Sequence, residues 1–516
     1  MSTMEQQQQR NAPVFSAMLR RRAREQSKDL ALWCNGEALN YGSLVKDAEN
    51  IAKALRDIGA TPGNRIAIIA RPSLDYCRAL MGILLARCVV VPLSTTLPGD
   101  TLAALLADAE PFAIFADRDG ARSLDAARYE GPRFGIGDCS GTVFAPFSWL
   151  APSCNDTPLP EQRGDDLFSI IYSSGTTGIP KGIAHDTRAR SEFFSLGAAG
   201  DGTRVLLTTA LFTNASFCTL LATLYLGGAC FIEERFDSRK FIEFVEQQQI
   251  NSCFLVPVQF RRILAEPSFS ADRLGSLKKT IISGSHCPLS LKTQLSESWP
   301  GDLIESYGLS EGGVLTQLNV TRTPAKLRTV GTLLPGYEMF VVGEDDKPVP
   351  SGTAGEIVGR SPYVMRGYFN RDDLTEAMNW RDEKGRLFQR TGDVGWVDAE
   401  GYVYISDRKK DIIISGGMNI HAAEIDQLLE QHPHVLEAAV IAAPSERWGE
   451  TPAAYVVLRP GAVISSEALL EWINARVARE MRVSAIEFVD VLPRNAMGKV
   501  MKRELRDKYR VAHPDG

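Results

Sequence analysis

The stretch Tyr172 to Gly182 reads YSSGTTGIPKG and follows directly on the apolar run Leu167 to Ile171. Glycine lets a backbone bend into conformations that other residues avoid, so that successive N–H groups can converge on phosphate oxygens. Ser173, Ser174, Thr176 and Thr177 add hydroxyl donors around Gly175 and Gly178, and Lys181 adds a mobile positive charge. The density of such residues exceeds that of an ordinary turn. The lysine lacks the GxxxxGKS or GxxxxGKT frame of a Walker loop, so the segment reads as a polyphosphate-holding loop of another kind.

Outward from this loop, short apolar or β-branched runs alternate with helix-length segments. Arg65 to Ile69, Val89 to Leu93, Phe112 to Phe115, Val205 to Thr208 and Thr280 to Ile282 read as strands. The alternation predicts an α/β fold with largely parallel sheets. Gly355 to Tyr404 differs, with short strand-like runs punctuated by Gly, Asp and Asn, and reads as a small barrel-like β subdomain. Past Arg408 the pattern becomes a compact α+β unit. Ile412 to Ile414, Ala438 to Ala442 and Ala453 to Leu458 read as strands, Ala422 to Gln431 as a helix, and Leu469, Leu470, Ile473 and Val477 as one helix face. The charged run Asp407 to Asp411 divides the chain into a domain over 1–408 and a smaller one over 409–516.

Composition narrows the class. A chain of 516 residues, 44% hydrophobic, buries more than one core. Its net charge of −6 gives no case for nucleic acid or an anionic membrane as partner. Nine scattered cysteines without a CxxC pair predict reduced thiols and a cytoplasmic protein. His432 and His434 lack partners at ligand spacing, so no zinc site is expected. The Gln-rich start and the arginines Arg20, Arg21, Arg22 and Arg24 precede no apolar core, so no signal peptide is read, and those arginines are expected on the solvated face of a helix. The longest apolar run, Leu220 to Ile232, is broken by Gly227 and Gly228 and reads as a core segment, not a membrane span.

Five further motifs follow in order: YGLSEGG at Tyr307 to Gly313, GEIVGRSPYVMRGYFN at Gly355 to Asn370, RTGDVG at Arg390 to Gly395, YISDRKKDIIISGGMNIHAAEID at Tyr404 to Asp426, and PRNAMGKV at Pro493 to Val500. With the phosphate loop they resemble the adenylate-forming enzymes, which include acyl-CoA synthetases, amino-acid adenylation domains and firefly luciferase, over roughly Asp166 to the C-terminus. The resemblance implies a large AMP-binding domain followed by a small mobile domain. It also implies a two-step reaction. A carboxylic acid and Mg·ATP give an acyl adenylate and pyrophosphate, and the acyl group then passes to a thiol, usually that of coenzyme A.

Roles carry over by motif. Lys181, Thr176, Glu311 and Lys499 are implied as the catalytic set, with Glu311 and Thr176 serving Mg²⁺. Ser173, Ser174, Gly175, Thr177, Gly178, Gly284, Ser285, Tyr307, Gly308 and Ser310 are implied around ATP, with Tyr307 along the adenine. Asp393 is matched to the ribose, where an acceptor-only carboxylate takes two donors, and Arg408 beside it. Lys499 reaches in from the small domain, Lys410 is the matching hinge, and after rotation Ser415, Gly416 and Gly417 line the pantetheine tunnel, with Trp448 near the nucleotide of coenzyme A. Taken alone, each of these segments is an ordinary turn or solvated charge.

The acid pocket is implied at Phe212, Thr213, Asn214, Phe217, Pro257, Gln259, His286 and Val314. Thr213 stands where many acyl-CoA ligases carry a histidine, and Asn214 stands where amino-acid activators carry an aspartate, which lowers the amino-acid option. Apolar and small polar residues suit an aromatic or medium-length acid better than a small dicarboxylate, which would want an arginine. The expected activity is an acid:CoA ligase. A stand-alone enzyme loading a separate carrier protein and a non-catalytic nucleotide-binding homologue are the alternatives. A homodimer is left open.

Overall fold

Strands that read as unbroken apolar runs belong inside parallel sheets covered on both faces. Arg65–Ile69 (RIAII) and Val89–Leu93 (VVVPL) behave so: they pair in parallel, and Val89, Val90 and Val91 are fully buried. The computed structural model describes residues 12–125, 129–137, 139, 157–173, 181–197, 200, 202–495 and 497–513. Among these residues the strands form four sheets in a mixed α/β architecture, a large N-terminal domain and a small C-terminal one.

The first sheet has nine strands. Its middle is parallel, running Leu30–Cys34, Ala229–Ile232, Arg204–Leu207, Ser252–Leu255, Lys279–Ile282 and Asp302–Gly308, with antiparallel strands at both edges. The second has seven, in the order Gly367–Tyr368, Lys181–Asp186, Leu167–Ser173, Val89–Leu93, Arg65–Ile69, Ala113–Ala116 and Arg133–Gly135. The expected strand at Phe112 to Phe115 is therefore shifted by one residue.

The β subdomain is an antiparallel sheet in the order Glu338–Val342, Gly355–Arg360, Leu387–Val397, Asn379–Arg381, with Val403–Arg408 also on Leu387–Val397. It begins earlier than expected. Gly367–Tyr368 leaves it for the second sheet, and among the described residues its end strands do not pair, so the sheet is open rather than a closed barrel. The fourth sheet builds the small domain. Val435–Ser445 and Gly449–Leu458 form one long hairpin, longer than the sequence pattern indicates, flanked by Ile413–Ser415, Met418–Ile420 and Ala485–Phe488.

Leu220 to Ile232 lies in the core, as its pattern indicates, and divides at its glycines: helix Asn214–Leu226 stops at Gly227, whose φ of 92° only glycine adopts freely, and strand Ala229–Ile232 follows. One further correction concerns local structure. The arginines of helix Phe15–Glu25 are not all solvated, because Arg20 pairs with Glu49 at 2.9 Å and Arg22 Nε donates to the Tyr225 carbonyl at 3.2 Å. Two capped helices matter for the site. Asp186 accepts from the Ala189 N–H at 2.8 Å and starts Thr187–Ser195, while Thr213 caps Asn214–Leu226.

Candidate active site

Ligands of open α/β sheets collect at the carboxyl ends of the parallel strands. There this molecule holds a cavity of about 1160 Å³, lined by the residues that leave Lys279–Ile282 (Ser283 to His286), the end of Asp302–Gly308, both capped helices and the small domain. Of the residues implicated by the motifs, Asn214, Pro257, Gly284, Ser285, His286, Tyr307, Gly308, Ser310, Val314, Asp393, Arg408 and Lys499 line it.

One group is tightly built. Asp393 and Arg408 face each other across paired strands, with Arg408 Nε 3.1 Å from Asp393 Oδ1. The Tyr307 hydroxyl donates to Asp393 Oδ2 at 2.7 Å. Each carboxylate oxygen retains acceptor capacity for further donors. Burial, reinforced by Asp393, pushes the Tyr307 phenol well above its ordinary pKa, so it stays a donor.

Lys499 arrives from the small domain on a short hairpin. The Asn495 amide oxygen takes the Met497 and Lys499 N–H groups at 3.0 Å each, and Arg494 ties to the Gly498 carbonyl at 2.5 Å and to Glu437 at 2.7 Å. This hairpin presses on the large domain at Gly284. A Cβ there would meet the mobile end of the Met497 side chain at 2.8 Å and Val256 Cγ1 at 3.1 Å, and the φ of 90° is what calls for glycine at this position. Burial first, then the nearby cations Arg408 and Lys410 against Asp393 and Asp411, lowers the Lys499 ammonium to a pKa of about 7. Lys410 is likewise lowered, chiefly by burial.

Beside the cavity, Lys181 Nζ lies 4.9 Å over the Tyr368 ring, whose hydroxyl donates to Glu311 Oε1 at 2.7 Å. Ser173 and Lys181 are register partners at the mouth of an antiparallel hairpin, so the glycine-rich segment joins two strands. Ser174, Gly175, Thr176, Thr177 and Gly178 lie outside the described residues.

Several expected pocket residues are elsewhere. Phe217 is packed against Phe168 in the core, because it falls on the inward face of its helix. Phe212 lines a separate, smaller cavity with Arg71 and Glu234. Thr213 spends its hydroxyl on the Ala210 carbonyl at 2.8 Å and on its cap, and Gln259 bonds the backbone of Val256 and Thr208. His286 does line the cavity. Burial first, then Lys292 and Lys502, lowers its pKa to about 4, which keeps the ring neutral.

Sequence reading missed two buried polar residues on the wall, His185 and Arg190. Arg190 stands four residues before the core residue Phe194, so helical spacing already placed it on the inward face. Ser415, Gly416, Gly417 and Trp448 are not part of the lining. They gather on the small domain, where the Gly416 N–H donates to the Trp448 carbonyl at 2.8 Å and the indole is half exposed.

Residues 19–369 match the AMP-binding enzyme family, and residues 424–499 match the AMP-binding enzyme C-terminal domain. The chain belongs to the AMP-binding enzyme family. Within it, the chain is 31% identical over 498 residues to a feruloyl-CoA synthase of Amycolatopsis sp, covering 95% of this chain and 98% of the relative. It is 30% identical over 501 residues to the fatty acid–[acyl-carrier-protein] ligase ScoC of Streptomyces coeruleorubidus, covering 93% of each. The crystal structure of ATP-bound MatB from Rhodopseudomonas palustris superposes with a TM-score of 0.86 at 26% identity, over 96% of this chain and 99% of that one. This member of the AMP-binding family is an AMP-forming acid–thiol ligase of the acyl-CoA synthetase class. Among its described residues no helix is long and apolar enough to cross a membrane, and the eight described cysteines are unbridged.

Proposed function

We propose that this chain is an ATP-dependent carboxylic acid:CoA ligase that works through an acyl adenylate. The observation that carries the reading is the meeting of Asp393, Arg408 and Tyr307 with Lys499, which comes from the other domain, on one cavity. An acid and ATP repel each other as anions, and fixed positive charge with correct positioning is what such a reaction needs. Asp393 would hold the ribose hydroxyls, Tyr307 the adenine face, and protonated Lys499 the acid carboxylate and α-phosphate as pyrophosphate leaves. Lys181 and the serines and threonines of the glycine-rich segment would hold the remaining phosphates.

Among the described residues no three-ligand metal cluster exists, but magnesium carried largely by ATP phosphates needs only one or two protein oxygens. Glu311, with Thr176, fits that requirement, and the ion when bound would neutralise phosphate charge.

The second step needs the thiol where Lys499 now stands. We assign residues 1–408 to the AMP-binding domain and 409–516 to a domain that rotates about Lys410, bringing Ser415, Gly416, Gly417 and Trp448 to the cavity. A thiol with a pKa of about 8.5 supplies thiolate near neutral pH and an acyl adenylate is reactive, so no dedicated base is required. The acid has an aromatic or medium-length body, in keeping with Phe193, Tyr337 and Tyr363 on the wall. One finding favours a second acceptor: the likeness to an acyl-carrier-protein ligase makes a carrier's pantetheine thiol the alternative to coenzyme A.

The test is carboxylate-dependent AMP and pyrophosphate release with Mg·ATP across fatty, aromatic and amino acids, with and without coenzyme A. Acyl-CoA formed stoichiometrically with AMP supports the reading. Exchange of pyrophosphate without any acyl-CoA points to the carrier, and no AMP from any acid contradicts both.

A further inference from the structure

Arg190 is a buried cation on the cavity wall, and nothing in the described structure offsets its charge by an ion pair. It is 3% exposed, and a guanidinium does not shed its proton to escape burial. Its contacts are all neutral: Nη1 to Cys218 Sγ at 2.9 Å, Nη2 to Asn214 Oδ1 at 2.8 Å and to Ser169 Oγ at 3.4 Å, and Cζ over the Phe217 ring at 5.7 Å from its centroid, with Nε unpartnered; a ring face offsets a cation only weakly compared with a carboxylate. Burial pushes the Cys218 thiol up, so it is no anionic partner. The other lysine or arginine buried to this degree among the described residues, Lys292, is treated differently and sits 2.5 Å from Glu305. The less buried Lys502 and Arg87 also pair, with Asp426 at 2.9 Å and Asp166 at 2.7 Å. A buried charge left without a counter-charge is strongly unfavourable, and such residues mark places where a ligand completes the site.

The surroundings fit an anion. Asn214, Ala215 and Cys218 lie on the first turns of the thirteen-residue helix Asn214–Leu226, whose N-terminal end favours negative charge, and they line the cavity together with Arg190. Asn214 holds the guanidinium, so the fork is oriented from the helix that also forms the wall. The aromatic rings of Phe193, Tyr337 and Tyr363 stand on the same cavity, with Phe193 and Tyr337 each within 6 Å of Tyr363, centroids 5.9 and 5.5 Å apart.

Resting on the ligase reading above, we propose that Arg190, oriented by Asn214, is a specificity determinant for an acid that carries a second carboxylate. The substrate class is thus a dicarboxylic acid with an aromatic or medium-length body: one carboxylate is adenylated and the other pairs with Arg190. The arginine whose apparent absence from the sequence pattern argued against dicarboxylates is supplied by the helix after the phosphate hairpin.

The experiment compares matched pairs, straight-chain and benzoic monoacids against the same acids bearing a second carboxyl group, by acid-dependent ATP–pyrophosphate exchange. A paired, buried charge lost from such a site weakens discrimination by about 10²-fold or more. The wild-type protein should therefore prefer a diacid over its monoacid by about that factor in kcat/KM, the ratio should collapse toward one in Arg190→Leu, and Arg190→Lys should retain part of it. A wild-type protein with no diacid preference, or a ratio unchanged in Arg190→Leu, overturns the proposal. Silence of the wild type with every acid sinks the ligase reading instead. In that case the rise in melting temperature caused by a diacid alone decides, since it must occur in the wild type and be lost in Arg190→Leu and Asn214→Ala; its absence from the wild type overturns the proposal.

Discussion

Raising the pH should remove the first half-reaction by discharging Lys499. The lysine must be protonated to meet two anions, and burial beside Arg408 and Lys410 holds its pKa at about 7 instead of the ordinary lysine value. For a cation the charged form is lost as pH rises, so the active fraction is about nine-tenths at pH 6, about half at pH 7 and about one-tenth at pH 8. The profile of kcat/KM for ATP, measured by acid-dependent pyrophosphate exchange, reports the free enzyme and should fall with unit slope above about pH 7. With ATP saturating, the phosphates favour the ammonium and the falling limb should move to higher pH. Lys499→Ala should lose about 10²- to 10³-fold and show no such limb. A wild-type profile flat to pH 9, or the same limb in Lys499→Ala, would refute the reasoning.

Three other perturbations follow from the geometry. Gly284→Ala puts a Cβ 2.8 Å from Met497 Cε at a positive φ, a cost of about 1–2 kcal/mol; pyrophosphate exchange should drop about tenfold, and unchanged exchange would show that the Lys499 hairpin need not seat there. Lys292→Met leaves Glu305 buried and unpaired, where the two now stand 2.5 Å apart; urea unfolding should register a loss of about 3–5 kcal/mol, largely recovered in Lys292→Met/Glu305→Leu. Trp448→Ala should raise KM for coenzyme A about tenfold, the loss of roughly one aromatic contact, while exchange, which needs no thiol, stays within twofold; equal effects on both steps would remove Trp448 from the acceptor site.

Much of the fold, and the cluster of Asp393, Arg408 and Lys499 on the cavity, is legible in the sequence because these residues sit in short local segments. Parallel strands such as RIAII and VVVPL announce themselves as unbroken apolar runs, and Asp393, Arg408 and Lys499 sit in motifs whose neighbours make the turns that present them. The pocket is harder. Its residues come from helices, where one position decides between wall and core: Asn214 and Cys218 line the cavity while Phe217 points into the core and Phe212 toward another cavity. Arg190 resembles its solvated neighbour Arg188 in the run TRARSEFF, and only the phase set by the Asp186 cap turns it inward. The register and openness of the third sheet depend on contacts between distant segments, which no local pattern encodes.

The central claim, that this chain makes an acyl adenylate from a carboxylic acid, is tested most directly by isotope transfer. With an acid labelled with ¹⁸O in its reacting carboxylate, a carboxylate oxygen attacks the α-phosphate, and when the thiol later takes the acyl group that oxygen stays on AMP. The account predicts one labelled oxygen in each AMP released and none in pyrophosphate. Unlabelled AMP, or label recovered in inorganic phosphate, would contradict it.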